Sequence, residues 1–67
     1  MPKFPEVTVH LTGEDGNAFA ILGRVRKALK SAEGVTREDV AAFMKEATSG
    51  GDYDHLLRVV METVEVD

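Results

Sequence analysis

The run Glu6-Val7-Thr8-Val9-His10-Leu11-Thr12 is the only sustained two-residue alternation before a long helical stretch, and it restricts the fold more than any other feature. Val7, Val9 and Leu11 fall on one side, with Glu6, Thr8, His10 and Thr12 on the other, the pattern of a half-buried strand over residues 6–12. A lone strand leaves backbone N–H and C=O groups unpaired along both edges, so it needs a partner. Within the chain the one candidate is a short C-terminal strand at Val64-Glu65-Val66; the alternative is the same strand in a second copy, paired about a two-fold axis. Residues 1–5 carry both prolines and read as an extended lead-in.

The strand ends in Leu11-Thr12-Gly13-Glu14-Asp15-Gly16-Asn17-Ala18-Phe19, a glycine-bracketed corner into the first helix. Asn17 is the natural N-cap, and Glu14 and Asp15 complement the positive end of the helix dipole. Those carboxylates would repel a phosphate at the same corner. Ala18, Ile21, Leu22, Val25, Ala28, Leu29 and Ala32 then recur at helical spacing and predict a helix over 17–33. Gly23 interrupts it, where glycine costs about 1 kcal/mol relative to alanine; a close approach of another backbone would explain it, as would tolerance alone.

Gly34 is placed to close that helix as its C′ residue. Thr36 opens the next as N-cap, with Glu38 and Asp39 in the first turn and Val35 and Val40 as a hydrophobic staple, predicting a helix over 37–48 that buries Val40, Phe43, Met44 and Ala47. Thr48-Ser49-Gly50-Gly51 breaks the chain, and Asp52 caps a third helix over 53–63, with Tyr53, Leu56, Leu57, Val60, Met61 and Val64 as its apolar side. The expected architecture is a small α+β single domain: one N-terminal strand, three helices and a short C-terminal strand.

At 67 residues such a chain buries only about 60% of the surface its unfolded form exposes. It has no cysteine, so no disulfide framework supports it, and self-association is the expected aid to stability. A hydrophobic fraction of 43% and a charged fraction of 30% are those of an ordinary folded domain. Neither a membrane span nor a signal peptide is expected, because Met1-Pro2-Lys3-Phe4-Pro5 lacks an apolar core segment, so the expected location is cytoplasmic.

Twelve acids against eight bases, a net charge of −4, argue against nucleic acid as partner. Helices two and three resemble a helix-turn-helix only in outline, since the second begins Asp52-Tyr53-Asp54-His55 and holds Arg58 as its single permanent base. Glu14, Asp15, Asp52, Asp54 and His55 match no EF-hand or other metal-ligand spacing and are read as capping and surface charge, so no metal and no cofactor are expected. His10 and His55 are the available general bases, but no nucleophile elbow, phosphate-binding loop or paired-carboxylate motif organises them, and the chain is not expected to be an enzyme.

Arg24, Arg26, Lys27 and Lys30 put four of the eight bases within seven positions of helix one. They are a solvated face or a patch for an anionic partner. Phe19, beside the corner, is placed to line a groove. The candidate ligand- or partner-binding set is therefore Asn17, Phe19, Arg24, Arg26 and Lys27. In the corner stretch and in Thr48-Ser49-Gly50-Gly51-Asp52-Tyr53-Asp54-His55-Leu56-Leu57 the chain resembles small proteins of bacteria and their phages. The resemblance implies a prokaryotic or phage setting and carries no activity. Two functions follow as expectations: a homo-oligomeric protein-interaction or accessory module, and a binder of a small anionic, nucleotide-like ligand between subunits.

Overall fold

The computed structural model describes residues 2–11 and 17–67 and runs β1 (Phe4–Val9), α1 (Ala18–Ser31), α2 (Arg37–Ser49), α3 (Tyr53–Thr63) and β2 (Val64–Val66). This is the expected α+β arrangement of one strand, three helices and a short last strand. The glycine corner, with Gly13, Glu14, Asp15 and Gly16, and the Thr12 end of the expected strand lie outside the described residues.

β1 and β2 pair in parallel, so the three helices form one long crossover between them. Phe4 lies opposite Val64, Thr8 opposite Glu65 and Val9 opposite Val66, with the register slipping between Phe4 and Thr8. Pro5 sits in that slip, where a residue with no N–H to donate does least harm to the ladder. The Lys3 N–H donates to the Glu62 carbonyl at 2.8 Å and the Asp67 N–H to the Val9 carbonyl at 3.0 Å, fastening both ends of the pair. The strand begins earlier and ends earlier than its alternation predicts, because its extent is set by a partner only three residues long. Intrachain pairing supplies the neighbour that β1 needs without a second copy.

Val7 and Val9 point into a core with Ile21, Leu22, Val25 and Leu29 of α1. Val40, Phe43 and Ala47 of α2 join them, as do Leu56, Val59 and Val60 of α3 and Val64 of β2. On α3 the buried face is turned from the expected one: Val59 and Thr63 are buried, whereas Met61 is 62% exposed. Thr63 reads as a surface residue in sequence, but its hydroxyl donates to the Val59 carbonyl at 2.7 Å and so enters the core satisfied.

The caps explain where the helices begin. The Asn17 side chain accepts from the Phe19 N–H at 2.8 Å and that of Asp52 from the His55 N–H at 2.7 Å. Thr36 and Asp39 form a capping box, the Thr36 N–H donating to the Asp39 carboxylate at 3.0 Å and the Asp39 N–H to the Thr36 hydroxyl at 3.1 Å. α1 ends one residue earlier than a C′ glycine would require: Ala32 is the cap, and the left-handed turn falls at Gly34, with φ of 85°.

The Thr36 N–H holds the Asp39 carboxyl below its ordinary value of 3.8. The ionised box therefore stabilises the fold at and above the ordinary carboxylate range, and that contribution disappears as pH falls through the lowered value. Asp39→Asn is expected to flatten the acid limb of a stability-versus-pH curve measured by circular dichroism. An acid limb identical to that of the parent protein would contradict the assignment.

Both glycines between α2 and α3 have a defined cause. Gly51 adopts φ of 77°, a backbone region that side chains rarely enter. Gly50 is ordinary in φ, but a Cβ there would run into the His55 ring. That ring lies over Gly50 because its Nε2 reaches the Glu46 carbonyl at 2.9 Å, a last-turn acceptor of α2 that also receives the Ser49 hydroxyl. Gly50→Ala is expected to displace the ring and destabilise the protein by about 1–2 kcal/mol, the cost of a lost hydrogen bond plus overlap. In a His55→Ala background the same substitution should cost less but still destabilise, because the Cβ of residue 55 also lies against the added methyl, and a double-mutant cycle by denaturant titration reads the difference.

Candidate functional site

α2 runs back along α1. Ala18, Phe19 and Leu22 at the start of α1 share one cavity with Ala47 and Thr48 at the end of α2, while Arg26 and Lys30 share another with Arg37, Val40, Ala41 and Met44. The two cavities, about 300 and 580 Å³, are thus the two ends of one surface seam between antiparallel helices. On α1 the seam is lined by Phe19, Leu22, Arg26 and Lys30, neighbours at helical spacing.

The first end is aromatic. Phe19 is 82% exposed, held at the second position of α1 by the Asn17 cap, and shares its cavity with Tyr53, 42% exposed at the start of α3. The short Gly50-Gly51 connection and the His55 contact bring Tyr53 there. Leu22, Leu56 and Ala47 form the floor. Among the described residues Asp52 is the one carboxylate in this lining, and it is engaged in capping α3.

The second end is cationic. Arg26 and Lys30, one turn apart on α1, meet Arg37 at the first position of α2 around Val35, Val40 and Met44. Among the described residues no acid lines this end. Glu38 is exposed outside the lining, and Asp39 faces a separate cavity with Lys3 and Phe4. Gly23 lines neither end; it is exposed, and a Cβ there would meet nothing within 4 Å. The close backbone approach expected at Gly23 is therefore not made by its own chain.

The structure divides the candidate set. Phe19 and Arg26 lie on the seam, whereas Arg24 and Lys27 belong to a different stripe of α1. Arg24 leans the other way, its guanidinium donating to the His10 carbonyl at 3.3 Å. Lys27 is exposed, and its carbonyl accepts from the Ser31 hydroxyl at 3.0 Å. Asn17 serves as a cap through its side-chain oxygen. Lys30, Arg37 and Tyr53 are seam residues that the candidate set leaves out. The short connection from Ala32 to Thr36 was the signal for Arg37, because an antiparallel return brings the start of α2 beside the last turn of α1.

The two histidines are far apart in role. His10 Nδ1 lies 3.1 Å from the Asp67 carboxylate at the exposed end of the sheet, and His55 is committed to the Glu46 carbonyl. Among the described residues no group of three His, Asp or Glu side chains is placed to hold a metal ion, and no helix is long and apolar enough to cross a membrane. Comparison with protein-family models, with curated proteins and with solved structures finds no match for this chain.

Proposed function

We propose that this chain is a small protein-interaction module that receives its partner in the seam between α1 and α2. The observation that carries this reading is Phe19, a large aromatic side chain left 82% exposed at the mouth of an apolar-floored cavity and facing Tyr53. Exposed aromatics over a groove are the side chains that anchor protein interfaces, since they bury much area at little entropic cost. In a marginal domain, leaving Phe19 in water forgoes stabilisation that a partner would recover.

Selection of binders from a displayed library of helical peptides against the immobilised protein tests the reading. Binders that lose affinity to Phe19→Asp, but not to Met61→Asp on the far side of α3, support the seam. Binders indifferent to Phe19→Asp would remove it. The same module fits the bacterial or phage setting that the sequence resemblance implies and the cytoplasmic location expected from the sequence.

A further inference from the structure

Three cations converge at one end of the seam in a chain whose formal net charge is −4. Arg26 and Lys30 come from α1 and Arg37 from α2, and among the described residues no carboxylate shares their lining. The opposite end is aromatic and holds Asp52. The seam is therefore polarised along its length, and a partner that matches it must be polarised too.

The walls of the seam also limit the shape of the partner. Both are helices, so no strand edge offers free N–H and C=O groups for an extended peptide to pair with. From Phe19 to Lys30 the seam rises about 16 Å, three turns of helix at 1.5 Å per residue. Exposed Ala41 on α2 keeps the cationic end low. Small residues at a helix crossing let a third backbone come close.

Resting on the seam as the docking surface, we propose that the partner is an amphipathic helix of about three turns. Its carboxylates lie over Arg26, Lys30 and Arg37, and its large apolar side chains sit between Phe19 and Tyr53. The cations select the partner and set its direction, while the aromatics supply the anchor.

The test uses the intact protein and a displayed library of helical peptides of about 16 residues, long enough to span the seam with a turn to spare. Apolar residues are fixed at i, i+3, i+4 and i+7, and the other positions vary. Enriched peptides are expected to cluster Asp and Glu in one half and to bind Arg26→Glu/Arg37→Glu at least about tenfold more weakly. Their affinity should also fall as salt rises from about 0.05 to 0.5 M, as screening requires. Both positions are exposed, so folding is retained and is checked by thermal melts.

Peptides without acidic bias, or ones that lose affinity to Phe19→Asp but not to the charge reversal, would overturn the acidic-helix proposal and leave the seam standing. No enrichment, or binding indifferent to both variants, would overturn the seam as well. Displacement of the peptides by ATP at micromolar concentration, with ATP itself binding, would assign the cations to a small anion and overturn the proposal.

Discussion

Leu29→Ala is expected to lower stability by about 3 kcal/mol, within the range for emptying a fully buried leucine site. Leu29 is 0% exposed and lies in the last full turn of α1, where the helix packs into the common core with Val25 and Val60. A chain of this size has a total stability of roughly 3–10 kcal/mol at the usual yield per residue. The substitution therefore takes a large share of it. Melting should fall by roughly 15–20 °C, given the 4–8 °C per kcal/mol of small domains. A fall of only a few degrees would mean that α1 is not seated against α2 and β1 in the common core as described.

Phe19→Asp should behave in the opposite way. Phe19 is on the same helix, but it contributes its area to solvent, so stability should change by no more than about 0.5 kcal/mol, as for other surface sites. Binding should fall by about 2 kcal/mol or more, roughly thirtyfold in Kd, as for a central aromatic anchor. Isothermal calorimetry against a selected peptide, beside a thermal melt, separates the two effects. A strong loss of stability with unchanged binding would make Phe19 a core residue and not an anchor.

The contrast between Leu29 and Phe19 shows what could be read from the sequence. Both are apolar residues of one helix, and the stripe of Ile21, Leu22, Val25 and Leu29 marks the buried face without a structure. Local chemistry was equally legible. Asn17, Thr36 and Asp52 cap the three helices because capping depends only on a side chain and the few N–H groups after it. Val7 and Val9 were placed inward by alternation alone.

What depends on distant neighbours was not legible. The four bases of α1 look like one face in sequence, yet the structure divides them between the seam and the opposite flank, where Arg24 meets the His10 carbonyl. Val59 replaces Met61 in the core because α3 faces α2 and the sheet together, which widens its buried side towards Thr63. Gly50 owes its identity to the ring of His55, five residues on and folded back over it. The three-cation cluster needed Arg37 beside Lys30, a juxtaposition made by the return of α2 along α1.

Chemical-shift mapping of the isotope-labelled protein, titrated with a selected acidic helical peptide, tests the docking surface most directly. Shifts concentrated at Phe19, Arg26 and Lys30 on α1, at Arg37, Ala41 and Met44 on α2, and at Tyr53 are the predicted result. Shifts concentrated instead on β1 and β2, or on the Met61 side of α3, would contradict it.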